Sequence, residues 1–486
     1  MKSSKVLIVL MIAAVVISML AGCSSKSNDS QNNAANNSAN KNTSPDAANA
    51  TNTTSSNQAA DNTAAEPEEA PAWTTEKFTL RYADGGDNKL EEEMLKAFMQ
   101  KYPNITVEYD KTITFPPEPS LTAAAAAGTM PDVFTMKDVP LAITNDWLLD
   151  LAPYWDKDEE SKTVYKNIAD MAVFDGKRYA MGTFQYAEGV FVNKTLFQKN
   201  NVPLPSYNWT FDEMIDLAKK FSKPDEFYYG IGGPWGDLGF QEWLPMNNDN
   251  SFGWDTYDGD KFHFTSQEWI DAYNLKLELR RLKVDDVMTG AQKKKLWGDE
   301  GAWTFQKGHS AMAIDYSWNM GWIPSEMKKA GAGDVDFYPM PSGKAGQRIQ
   351  TILDFIGVSS TTEHPEAAYE LAKWMTWGKE GALKRADIEK AAGQPVTKYP
   401  TADQPEVWAK LEANLTLPGE KEVMKLMSNA VPMPIVPGWN DFAAWDTENK
   451  FTEKLNSGEY KVADKAKEFE DKANEFVAKA KAAMLK

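Results

Sequence analysis

The residue types that could do chemistry are unevenly supplied along this 486-residue chain. His263, His309 and His364 lie too far apart in sequence to suggest a metal cluster, and no His-Glu-x-x-His run is present. Gly308-His309-Ser310-Ala311-Met312 starts like a nucleophile elbow, but Met312 stands where that motif needs its last glycine. The small residues there fit a buried strand more simply. No phosphate-cradling glycine run occurs, and Asp255 to Asp260 reads as a turn without the ligand spacing of a calcium loop. No metal and no cofactor are expected. The 70 carboxylates are numerous enough that a pair suited to general acid–base work can always be found, and no local signature isolates one.

What the chain does supply is aromatic surface: 17 Trp, and 12% aromatic residues in all. A sugar ring has weakly positive, apolar C–H faces and edge hydroxyls that need directed hydrogen bonds. Aromatic faces flanked by Asp, Glu, Asn, Gln and Arg make the natural site for it. Most tryptophans in any chain are core, so composition alone selects none of them.

The elements that would position such a site begin with an export signal. Lys2 and Lys5 precede an uncharged apolar stretch from Val6 to Leu20, shorter than the about 20 residues a spanning helix needs. It ends in Leu20-Ala21-Gly22-Cys23, which resembles the lipobox of bacterial lipoproteins. Residues 1–22 are therefore expected to be a signal peptide and Cys23 a lipidated residue, the protein's only attachment to a cell membrane, on its extracytoplasmic face. Cys23 is the only cysteine, so no internal disulfide can form. From Ser24 to about Ala72 the chain is Asn, Ser, Ala, Thr and Asp without an aromatic residue, which predicts a disordered tether reaching roughly 40 Å. The formal net charge of −18 argues against nucleic acid as a partner.

From Trp73 onward the composition is globular, and the length exceeds the ~250–300 residues at which single cores stop growing, so two lobes are expected. Short strands alternate with helices, as in α/β layers. Phe78 to Tyr82, Ile105 to Tyr109 and Asp132 to Met136 read as strands, and Leu90 to Tyr102 and Leu121 to Ala127 as helices, the latter stopped by Gly128. Thr210-Phe-Asp-Glu213 and Thr265-Ser-Gln-Glu268 read as capping boxes, and Pro365 as a helix first turn. Val462 to Leu485 reads as a long helix with Phe469, Phe476, Ala480 and Met484 inward.

Five segments, in order, resemble the carbohydrate receptors of ABC importers, the maltodextrin-receptor-like class. They are Phe98 to Val107, Ala126-Ala-Gly-Thr-Met-Pro-Asp-Val133, Glu188-Gly-Val-Phe-Val-Asn193-Lys-Thr-Leu-Phe197, Trp209-Thr-Phe-Asp-Glu213, and Phe305-Gln-Lys-Gly308 through Ala311-Met312 to Trp318. Lys194-Thr-Leu-Phe and Pro339-Met-Pro-Ser342 look closest to Gram-positive lipoprotein members. The resemblance implies a two-lobe, periplasmic-binding-protein-like α/β fold of the second type, with a cleft closed by hinge motion. It places strand crossings near Glu188–Val192, Leu353–Gly357 and residues 415–425. One lobe would then be 74–190 plus 354–420, the other 191–353 plus 421–486.

The same resemblance selects site residues. Trp318 ends the Ala-Met strand where relatives place an aromatic platform, and Trp439 lies in a Pro-rich loop that corresponds to a second cleft loop, with Trp445 as its competitor. Trp235 and Trp243 flank the Gly- and Asn-rich loop from Gly232 to Asn250. Gln185 and Tyr186 precede the first crossing. Asp84, Asp138 and Asp354 are expected to accept sugar hydroxyls, Asp84 competing with a plain turn role. Asp132 reads as structural. The expected function is a monomeric, non-catalytic receptor that hands a carbohydrate to ABC permease subunits. A secreted glycoside hydrolase and a ligand-sensing surface receptor are the alternatives.

Overall fold

The computed structural model describes residues 71–232 and 238–485. The expected signal peptide, Cys23, the tether and Trp235 lie outside the described residues.

Eleven strands are present among the described residues: β1 (Phe78–Ala83), β2 (Ile105–Tyr109), β3 (Val133–Met136), β4 (Val173–Phe174), β5 (Lys177–Arg178), β6 (Met181–Asn193), β7 (Tyr229–Ile231), β8 (Ser310–Tyr316), β9 (Val335–Pro339), β10 (Gln350–Val358) and β11 (Val431–Pro432). The main sheet runs β2-β1-β3-β10-β6-β8-β7, with β11 on β10 and β9 on β6, while β4 and β5 pair separately. β1 is parallel to β2 and β3, as βα units require. β6 and β10 are the long strands that join the two ends of this sheet. β6 pairs with β10 through Met181 to Ala187, then with β8 and β9 from Glu188 to Asn193. β10 pairs with β6 at Thr351 to Leu353 and, after a register shift, at Phe355 and Ile356, and with β3 on its other edge from Phe355 to Val358.

Local sequence explains most of the elements that hold these strands. Asn88 caps the helix Lys89–Lys101, accepting from the Leu90 N–H, and Met94, Leu95 and Phe98 line its buried side. Gly128 ends the helix Pro117–Ala127 at φ 66, a left-handed conformation that glycine adopts without strain. Asp132 takes the Arg81 N–H at 2.8 Å and the Thr362 hydroxyl at 2.6 Å, the structural role expected of it. Asn193 ends β6 by capping the next helix through the Leu196 N–H at 2.9 Å. Trp209 is buried and donates its indole N–H to the Pro339 carbonyl at 2.9 Å. Thr210 and Glu213 form the expected capping box. The second expected box does not form. Ser266 caps the helix Gln267–Arg281 instead, because Thr265 is drawn away to Glu470, 2.7 Å from both its N–H and its hydroxyl.

The core is divided. One cluster gathers β1, β3, the lower part of β6, the end of β10 and the helix Pro365–Met375. A second gathers Val190, Val192, Trp209, Trp243 and their neighbours. A third joins Phe191 and Phe337 to Ala382, Tyr399 and Val407. A fourth is an aromatic group built from Phe262, Trp269, Phe442 and the helix Val462–Met484. That helix buries Val462, Ala466, Phe469, Ala473 and Val477, and its Met484 packs against the first cluster. No helix among the described residues is long and apolar enough to cross a membrane.

Candidate functional site

Side chains alternate along a strand, so Tyr186 and Glu188 share one face of β6. The antiparallel registers place Glu188 opposite Tyr316 on β8 and Tyr186 opposite Ile352 on β10. Trp318, two residues beyond Tyr316, stacks on it with ring centroids 4.3 Å apart and meets Tyr186 edge-on at 5.6 Å. Gln350, two residues before Ile352, continues the same face beside Glu188. Two rows result across three strands. One is aromatic and apolar, Trp318–Tyr186–Ile352; the other is largely polar, Tyr316–Glu188–Gln350. The helix Phe240–Asn248 borders the second row, where the Gln350 Nε2 donates to Asn247 Oδ1 at 3.1 Å. The side chain at 189 is missing for a steric reason, since a Cβ there would lie 2.4 Å from Phe337.

The electrostatics of this face are those of a dry floor. Glu188 is 6% exposed, takes a hydrogen bond from the Tyr316 hydroxyl, and has no partner for its Oε2 among the described residues. Burial, and then the nearby charge of Asp315, push its pKa up to about 8. Burial, followed by the Glu188 and Glu242 carboxylates, holds Tyr316 well above the usual phenol range. Tyr186 is raised by burial, with Lys398 opposing and Asp354 adding.

The structure brings only some of the expected residues to this face. Trp318 and Tyr186 meet there. Gln185 points to the opposite side. It is fully buried, donates to the Pro400 carbonyl at 2.9 Å and accepts from the Thr351 hydroxyl at 3.2 Å, so it fastens the strands. Trp243 is a core residue rather than a cleft platform: it is 1% exposed, with Phe240 and Phe211 edge-on at 5.4 and 5.6 Å. Asp84 takes the Tyr109 hydroxyl and the Gly86 N–H, the turn role that competed with ligand contact, and burial raises its pKa.

Asp138, Trp439 and Trp445 form a separate group, while Asp354 follows Ile352 on β10 and its charge acts on Tyr186. Asp138 caps the helix Val139–Thr144 through the Leu141 N–H at 2.9 Å, and its other oxygen accepts from Asn440 Nδ2 at 2.6 Å. Lys137 lies 3.7 Å from Asp354, whose pKa is raised chiefly by burial and lowered by that lysine. Trp439 begins the helix Trp439–Asn449, is 37% exposed, and packs on Phe262 and Phe442 at 5.5 and 5.6 Å. Trp445 packs within the same aromatic cluster. Among the described residues no ring contact joins Trp439 to Trp318 or Tyr186. Glu188, Gln350 and Tyr316 were not expected from sequence, although alternation through the Glu188-Gly-Val-Phe motif places Glu188 on the Tyr186 side.

The nucleophile look-alike is engaged elsewhere. Ser310 donates to Thr304 Oγ1 at 2.7 Å, and His309 Nδ1 lies 3.0 Å from the Phe227 carbonyl.

Residues 83–376 match the family described as bacterial extracellular solute-binding protein. The chain belongs to this family. An uncharacterized ABC transporter extracellular-binding protein of Pyrococcus horikoshii is 24% identical over 366 residues, covering 70% of this solute-binding protein and 75% of that one. An ABC substrate-binding protein from Listeria monocytogenes, solved in complex with cycloalternan, matches with TM-score 0.64 at 24% identity, over 82% of this chain and 99% of its own. The sugar-binding protein MalE from Xanthomonas citri matches with TM-score 0.65 at 18% identity, over 84% and 100%. A sugar transporter of Rhizobium etli in an open conformation matches with TM-score 0.64 at 20% identity, over 82% and 99%. These likenesses establish the fold of this solute-binding protein as the two-lobe, periplasmic-binding-protein-like one.

Proposed function

We propose that this solute-binding protein is an extracytoplasmic receptor that binds a sugar or oligosaccharide and delivers it to an ABC importer, without catalytic turnover. The observation that carries the reading is the pair of rows on the crossing strands: the half-buried rings of Trp318 and Tyr186 beside the polar side chains of Glu188 and Gln350. An aromatic surface for C–H faces next to directed polar groups is what sugar recognition needs. The sugar-binding relatives of the same fold support it.

The lobes of this reading are 74–190 plus 354–420 and 191–353 plus 421–486, and the third cluster packs Ala382, Tyr399 and Val407 of the first against Phe191 and Phe337 of the second. Opening and closure would turn on β6 and β10, and the bond from Asn440 to Asp138 joins the two lobes in the form described here. The protein acts as a monomer held to the cell membrane by lipid on Cys23.

A thermal-shift screen of the chain from Trp73 onward against malto-, isomalto- and xylo-oligosaccharides tests this. A sugar at about 100 times its Kd stabilises by roughly 2.7 kcal/mol. A melting shift with one sugar class and no products on long incubation is the expected result. Products would establish a hydrolase, and shifts with peptides alone would overturn the sugar reading.

A further inference from the structure

The polar row holds more unanswered hydrogen-bonding capacity than a closed core tolerates. Among the described residues, Glu188 Oε2 and Gln350 Oε1 are buried without partners, and so is Asn247 Nδ2 on the bordering helix, although Gln350 and Asn247 are already bonded to each other. Gln241 Oε1, at the start of that helix, is a fourth such atom. Each would cost free energy comparable to a lost hydrogen bond if it stayed unmet. Glu188 and Gln350 adjoin the aromatic row on the same strand face, so a ring lying along Trp318 and Tyr186 would present its edge towards them.

We infer that Glu188, Gln350 and Asn247 form the hydroxyl-reading floor of the site, with Glu188 in its neutral acid form donating from Oε2 to one ligand hydroxyl. Gln350 Oε1 then accepts from a neighbouring hydroxyl, and Asn247 Nδ2 donates to it. This donor–acceptor–donor order suits the vicinal diol edge of a pyranose, because each hydroxyl both gives and receives. The inference rests on the sugar reading and sharpens its chemistry: it makes binding depend on a proton.

The groups around Glu188 favour that neutral form. On β8, Tyr316 already donates to the carboxyl, and Asp315 is a second negative charge nearby. On the bordering helix, Glu242 acts on Tyr316 and adds no positive charge. β10 contributes the uncharged Gln350 and Ile352. Burial leads and Asp315 follows in raising the carboxyl to about 8. Ligand binding therefore weakens as pH rises through that value and is level below it.

Titration calorimetry with maltotriose, panose and xylotriose from pH 6 to pH 9.5 tests the assignment. For the sugar that binds, wild-type affinity should be level to about pH 7.5 and then fall towards tenfold per pH unit. Glu188→Gln has no proton to lose in this range, so whatever affinity it keeps at pH 6.5 should show no alkaline fall. Glu188→Leu should weaken binding about tenfold or more at every pH, with its melting temperature measured alongside to confirm folding. A flat wild-type profile, or Glu188→Leu binding as well as wild type, overturns the assignment and leaves the receptor standing. Silence of wild type towards all three sugars overturns the sugar reading and this assignment together.

Discussion

Glu91 and Glu188 are glutamates buried to nearly the same depth, 4% and 6% exposed, with opposite fates. Glu91 sits in the first turn of the helix Lys89–Lys101, held by both arms of Arg385 at 2.6 and 2.7 Å, with Lys398 at 3.5 Å. Burial alone would raise its pKa, but Arg385 and then Lys398 bring it down to about 2. Glu188 is buried beside a carboxylate and a phenol, with one oxygen unmet, and rises to about 8. A buried charge that is fully answered by its own chain is architecture. A buried acid left half-answered on the face that carries the half-buried aromatic residues Trp318 and Tyr186 is capacity held for something from outside.

The comparison can be broken at either end. Arg385→Ala should have the largest effect, because it strands Glu91 as a buried charge with only Lys398 near it. A loss of about 3–5 kcal/mol is expected, read by urea denaturation, and a loss below about 1 kcal/mol would make the pair dispensable. The two acids should also impose opposite pH dependence. The depressed Glu91 contributes stability that is present above its unfolded value and lost as pH falls towards about 2. The raised Glu188 contributes stability that is fully present below its unfolded value and lost as pH rises through about 8. Melting curves from pH 3 to pH 9 should show both flanks, and Glu188→Gln should remove the Glu188 share of the alkaline one.

Smaller effects concern the ligand. Trp318→Ala removes the end of the aromatic row and should weaken sugar binding by about tenfold to a hundredfold, equivalent to ~1.5–3 kcal/mol of lost burial, with the melting temperature of the free protein little changed. Trp439→Ala should weaken it less, since that ring is already packed on Phe262 and Phe442. Asn440→Ala, which removes one exposed bond to Asp138, should change affinity by less than about 1 kcal/mol. An effect as large as that of Trp318→Ala would move the site towards Asp138.

Much of this was legible in the sequence because it is local. Gly128 at its helix end, Asn193 at the end of β6 and the Thr210–Glu213 box are each fixed by neighbours a few residues away. These landmarks identify the family and are scaffold, not site. What the sequence concealed is parity and partnership. Gln185 and Tyr186 are adjacent, so one faces the aromatic row and the other the strand partners Pro400 and Thr351. The choice depends on pairing with β10, far along the chain. Trp243 is drawn inward by Phe211 and Phe240, and Thr265 yields its cap to Ser266 because Glu470 reaches it from the last helix. Gln350 carries no local signal at all; only the register of β10 against β6 brings it beside Glu188.

A crystal structure of the chain from Trp73 onward with its bound oligosaccharide is the most direct test. A sugar ring should lie against Trp318 and Tyr186, with hydroxyls within about 3.2 Å of Glu188 and Gln350. A sugar bound away from β6 and β10, with Glu188 and Gln350 answered by ordered water instead, would contradict it.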